Sequence, residues 1–183
     1  MAGTDRRAFL TLNLAALPLT LFAQSAKTGI TTRAARVAAG EDRLGEHHTI
    51  GVSSTDYKVV TQDTGGDLFI MEHTNQKKGG PSRHLHHGQD EWWYVIEGDY
   101  LIEIGSERFR LKTGDSILGP REVPHVWAFV GNGAGKLLIA FAPAGKMEAA
   151  FREIQKRGSA YSKDPEFFRA HGMELVGPPL AVG

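Results

Sequence analysis

The chain has no cysteine in its 183 residues. Disulfide scaffolds, zinc ribbons and thiol nucleophiles are therefore excluded. Any metal site must be built from histidine and carboxylate, a donor set that suits Fe, Mn, Ni, Cu or Zn. Net charge is missing too, since 21 Lys and Arg balance 21 Asp and Glu. Phosphate binding wants a basic patch, so nucleic acid is not an expected partner. We find no internal repeat and no glycine-rich phosphate loop. The apolar run near the N-terminus spans about fifteen residues, short of the ~20 that a membrane-spanning helix needs, and Pro18 interrupts it.

That N-terminal run has another reading. Arg6-Arg7 precedes Ala8-Phe9-Leu10, an apolar stretch continues to Phe22, and small residues close it at Ala23, Ser25 and Ala26. Basic start, apolar middle and small-residue end form the layout of an export signal. The Arg6-Arg7-x-Phe9-Leu10 run resembles the twin-arginine type. Residues 1–26 are thus expected to be a signal peptide. The mature protein is expected to be periplasmic or exported, with no stable membrane association once the signal is removed. Residues 27–47 are small and polar and read as an extended arm.

From His48 the pattern is β. Short runs rich in β-branched and aromatic residues alternate with turn signals such as Thr64-Gly65-Gly66-Asp67, Gly98-Asp99, Gly105-Ser106 and Thr113-Gly114-Asp115. With 22 Gly and 8 Pro and no alternating helix pattern, residues 48–145 predict an all-β barrel or double-sheet jelly roll. Residues 146–183 read as a helical tail packed on it. Met147 to Arg157 carries strong helix formers and ends at Gly158. Met147, Phe151 and Ile154 share one face, assigned to core. A second short helix starts at Asp164 and Pro165, and Gly177-Pro178-Pro179 is expected to break any regular element near the C-terminus.

The chemistry-bearing stretch is His84-Leu85-His86-His87-Gly88-Gln89-Asp90-Glu91. Residues two apart on a strand point to one face, so His84 and His86 can share a metal while His87 points away. Glu91 opens the next strand and can face back. His125 opens a later strand, which barrel closure would bring close. Three neutral imidazoles and one carboxylate leave open coordination positions, the mark of a catalytic metal. Alternation from Glu91 and His125 puts Trp93, Trp127 and Phe129 on the site's side. Phe69, Met71 and His73 share a face on an earlier strand. These six are the expected walls of a substrate pocket for an apolar or aromatic molecule.

Two spacings in this region are similar to those of a known family. His84-x-His86-x4-Glu91-x6-Gly98 resembles the first cupin motif, and Gly114-x5-Pro120-x4-His125 resembles the second. The resemblance implies a cupin double-stranded β-helix, a jelly-roll barrel, with one divalent transition metal held inside by His84, His86, Glu91 and His125. It also implies a homodimer. There are departures: Lys78 stands where the first motif usually opens with Gly, Glu122 where Gly commonly follows Pro by two, and Phe129 where Asn is common.

Among cupins, the chain looks like the single-domain group that includes flavonol (quercetin) dioxygenases. In those enzymes the carboxylate matching Glu91 is thought both to bind metal and to take a substrate proton. The expectation is a metal-dependent dioxygenase acting on a small organic, aromatic or apolar, substrate with O2, Glu91 being its catalytic base. The alternatives are a metal-dependent isomerase or lyase, in which the metal acts only as Lewis acid, and a non-catalytic binder of ligand or metal.

Overall fold

From Phe69 to Asn75 the side chains of Phe69, Met71, His73 and Asn75 are buried, while Ile70, Glu72 and Thr74 are half-buried. This period of two is what a strand with one face on a core requires. The computed structural model describes residues 34–182. The predicted signal peptide and the first part of the predicted arm lie outside the described residues.

Eleven strands are described: β1 His48–Ile50, β2 Ser53–Val59, β3 Phe69–Asn75, β4 Ser82–His86, β5 Asp90–Glu97, β6 Asp99–Ile104, β7 Glu107–Lys112, β8 Ser116–Gly119, β9 His125–Phe129, β10 Gly135–Ala142 and β11 Met173–Pro179. They form two antiparallel sheets. One has the order β1-β2-β3-β10-β5-β8 and the other β11-β4-β9-β6-β7. Between them lies a core that includes Tyr57, Phe69, Trp93, Tyr100, Phe129 and Phe141, each at most 1% exposed. This is the expected jelly-roll barrel.

The turn glycines are placed by sterics. Gly98 joins β5 to β6 at φ 90°, and a Cβ there would come within 2.8 Å of the Phe129 ring. Both facts exclude larger residues. The departure at Glu122 has the opposite character. Its φ is 61°, the one positive value at a non-glycine among the described residues. Its N–H donates to the His86 carbonyl at 2.8 Å, which holds the turn in place. Left-handed backbone is unfavourable for a residue with a Cβ, so Glu122→Gly should raise stability by up to ~1 kcal/mol. Urea unfolding checks this, and a lowered midpoint would show that the exposed Glu122–His87 contact outweighs the backbone cost.

The end of the expected arm is not free. The Asp42 carboxylate accepts from the Leu44, Glu46 and Tyr57 N–H groups. Arg43 makes a two-pronged pair with Asp63 at 3.1 and 2.9 Å. Residues 41–46 are therefore tied along β2 of their own chain.

The tail differs in part from the expectation. Helix α1, Met147–Arg157, runs as predicted and buries Met147, Ala150 and Ile154. Helix α2, Pro165–Ala170, is capped by the Asp164 carboxylate, which accepts from the Glu166 N–H. Beyond α2 the chain forms a strand, not a broken coil: β11 pairs with β4, Met173 opposite His86 and Leu175 opposite His84. Proline lacks an N–H donor, but β11 is an edge strand with one side free of the ladder, so Pro178 and Pro179 are tolerated.

Candidate metal centre

Strand β4 supplies the first two candidate ligands. Its register puts His84 and His86 on the inner face, 7% and 0% exposed. The strand is clamped from both sides, by β11 on one flank and β9 on the other. The single register pair between β4 and β9 is His84 with His125. Glu91 comes from the opposing sheet, on β5, and is 3% exposed. The structure thus brings all four together, with one donor atom from each lying within 4.8 Å of all the others.

The rings are aimed by backbone. His84 Nδ1 lies 2.8 Å from the Ser82 carbonyl and His125 Nδ1 3.1 Å from the Val123 carbonyl. A carbonyl can only accept, so each Nδ1 carries the proton. Each Nε2 lone pair is then available as a metal ligand. His86 Nε2 and His125 Nε2 sit 3.0 and 3.1 Å from the same oxygen, Oε2 of Glu91. His86 Nδ1 is buried without a partner among the described residues. Aromatic edges and faces fix the rings further: Phe168 against His84 at 5.5 Å, Phe141 against His86 at 5.6 Å and Trp93 against His125 at 5.2 Å.

The electrostatics favour a cation. Burial, then the neighbouring His125 and His86 rings, push the His84 imidazole down to about 3. Burial alone would raise the Glu91 carboxyl, but contacts from His125 and His86 more than offset it and hold the group well below the usual carboxylate range. With the Nδ1 proton of His125 given to Val123, only a proton or a metal ion at Nε2 can compensate the buried Glu91 carboxylate, so the centre is built to take a cation. The donor set fits a divalent transition metal, with His84, His86, Glu91 and His125 as the residues that would hold it.

A cavity of about 370 Å³ opens onto this centre, and of the four residues it touches His84 and Glu91. His86 and His125 stand behind them, so the approach is from one side. Of the six residues expected as pocket walls, Met71, His73 and Trp127 line the cavity. Phe69, Trp93 and Phe129 do not: each is 0% exposed and packed into the core. Phe69 meets Tyr57 and Phe141, Trp93 backs His125, and Phe129 sits against Tyr100. Alternation gives the side of a sheet, not the depth at which neighbours close over it.

Other wall residues were not anticipated. Ile139 and Phe141 come from β10, whose alternation would have disclosed them. Met147, Phe151 and Ile154 come from α1, so the stripe assigned to core also walls the cavity. Phe168 comes from α2, and its adjacency to His84 had no local signal. The loop at 77–81 forms part of the rim. Gly79 and Phe129 exchange backbone hydrogen bonds at 3.0 and 2.9 Å. A Cβ on Gly80 would lie 1.9 Å from the Trp127 carbonyl, so only glycine allows the loop to sit this close to β9. His87, as expected, faces solvent and pairs with Glu122. Arg121 pairs with Asp90 at 2.8 Å on the surface.

Residues 71–141, which contain all four candidate ligands, match the family model described as the cupin domain. This segment is a cupin domain. It is 35% identical over 60 residues to an uncharacterized protein of Methanocaldococcus jannaschii, a match that covers 33% of this chain. The chain spans 48% of the length of that curated relative. Among solved structures, the chain is similar to KdgF from Halomonas sp., with 20% identity, TM-score 0.48, and coverage of 54% of this chain and 87% of the other. A second is an RmlC-like cupin from Shewanella frigidimarina, with 24% identity, TM-score 0.47, and coverage of 56% and 87%. A third is Pac13, described as a nucleoside dehydratase, with 14% identity, TM-score 0.47, and coverage of 61% and 83%.

Proposed function

We propose that this protein is a mononuclear metal-dependent dioxygenase acting on a small, largely apolar or aromatic organic substrate. One observation carries the reading: the buried three-histidine, one-carboxylate cluster meets its cavity only through His84 and Glu91, and the adjoining wall is Met71, Trp127, Ile139, Phe141 and Phe168. A metal bound there supplies Lewis acidity and, if redox-active, a means of coupling O2 to the substrate. The chain's own residues do the rest. The apolar wall seats the substrate and keeps water out. Glu91, the carboxylate on the cavity side, accepts a proton from a substrate hydroxyl. Ser82 and Val123 keep His84 and His125 in one tautomer while that proton moves. Both oxygen atoms enter the substrate, which itself supplies the electrons, so no external reductant is required.

The test is O2 uptake by metal-loaded protein across a panel of flavonols and catechols. Substrate-dependent uptake is expected. Absence of uptake while metal stays bound would overturn the reading. Turnover that persists without O2 and with zinc would assign the site to Lewis-acid isomerase or lyase chemistry instead.

A further inference from the structure

The cavity has two chemically different ends. His84 and Glu91 lie at one end, and apolar side chains form the waist. His73 lines the same cavity, as do the turn at 50–53 and the loop at 77–80 with its Lys77 and Lys78. The strand register measures the separation. Glu91 pairs with Phe141, Val95 with Leu137, and Leu137 with His73. His73 is thus four residues further along the sheet than Glu91, roughly 13 Å of strand, and two strands across from it, roughly 10 Å.

His73 is 8% exposed and touches the Trp127 ring edge-on at 5.3 Å. It makes no hydrogen bond among the described residues, and its ring nitrogens are not among the sealed polar atoms that lack a partner, so they are open to the cavity that His73 lines. Two polar neighbours on the same sheet are turned to other partners. Asn75 accepts from the Tyr100 hydroxyl at 3.0 Å. Thr55, directly across the strand pair, accepts from Gln155 at 3.3 Å. The His73 ring is left for whatever enters the cavity.

We propose that His73 is a ligand-recognition residue: it hydrogen-bonds a neutral oxygen, a hydroxyl or carbonyl, at the far end of an elongated organic molecule whose near end offers oxygen donors to the metal. This rests on the reading that the cluster holds a metal and the cavity its organic ligand. A neutral oxygen is specified because burial pushes the His73 imidazole down to about 4. At neutral pH it offers a donor and an acceptor but no charge for a carboxylate. The apolar waist selects against polar groups between the two ends.

A molecular ruler tests this without knowledge of the natural substrate. Catechols carry a straight alkyl chain at the 4-position, roughly three to eight carbons long to bracket the strand distance. Each chain ends in methyl, hydroxyl or carboxylate. Binding to the zinc-loaded protein is measured by calorimetry. One chain length is expected at which the hydroxyl probe binds roughly three- to tenfold tighter than its methyl counterpart. The gain disappears in His73→Phe and survives in part in His73→Gln, while the methyl probes bind both variants as they bind wild type. Thermal melts verify folding, and His73→Leu replaces His73→Phe if the larger ring cannot be packed.

The proposal is overturned if no length shows a hydroxyl gain, if the gain persists without the imidazole, if the carboxylate series binds tightest, or if no catechol binds. The readout needs no O2. A length-dependent gain in a protein that consumes no oxygen would defeat the dioxygenase reading and leave this one standing, and oxygen consumption without the gain would do the reverse.

Discussion

His125→Ala leaves a protein that purifies with little of the wild-type metal content. The loss in affinity exceeds the roughly 10- to 100-fold that removal of an outer hydrogen-bonding partner costs. His125 is fully buried, its Nδ1 proton is given to the Val123 carbonyl, and its Nε2 faces the shared Glu91 oxygen. No other imidazole among the described residues stands near enough to replace it, because the group that converges within 4.8 Å is limited to His84, His86, Glu91 and His125. His84→Ala should behave alike. Glu91→Gln is the informative contrast. It keeps the shape of the side chain and removes its charge, so metal content falls only in part, while a role as base predicts a loss of turnover of about 10²- to 10⁴-fold. Elemental analysis beside circular dichroism separates metal loss from unfolding. Stoichiometric metal in folded His125→Ala would refute the assignment of the centre.

The second large effect is on stability in mild acid. Burial lowers the His73 imidazole from 6.5 to about 4. The sign follows from linkage. The unfolded chain binds this proton near pH 6.5 and the folded chain resists it, so the contribution is complete above about 6.5 and is lost as pH falls towards about 4. Between pH 7 and pH 5 this one group should cost about 2 kcal/mol of stability. His73→Phe removes the proton and should unfold with a visibly shallower dependence on pH over that interval. The measurement is urea unfolding of both proteins at several pH values. Parallel curves would show that the His73 ring is protonated as readily in the fold as in the unfolded chain.

Much of this was legible in the sequence because strands encode it locally. A period of two is enough to place His84 and His86 on one face, to set Met71 and His73 on another, and to send His87 outward. The turn glycines marked the hairpins, and helix α1 was visible from its apolar stripe and terminal Gly158. Depth was not visible. Phe69, Trp93 and Phe129 have the same alternation as Met71 and Trp127, yet the first three are sealed in the core while the other two border the cavity. Which side chain closes over which depends on how the two sheets are spaced and on what covers their open edge, and neither is a local property.

Strand β11 shows the same limit from another direction. Gly177-Pro178-Pro179 carries no strand signal, and it pairs only because β4 presents an unpaired edge to it. By its own composition the chain determined that any metal site here uses histidine and carboxylate, since cysteine is absent. By its spacings it singled out four candidates, His84, His86, Glu91 and His125, which the fold brings within 4.8 Å of one another. The tertiary structure alone decided that the cavity reaches the centre past His84 and Glu91, that the C-terminal helices wall it, and that His73 lines it without a hydrogen-bond partner among the described residues. The reason is physical. Ligand identity is written in residue type and strand period, whereas access, depth and unmet hydrogen bonds arise when segments far apart in sequence exclude water from one another.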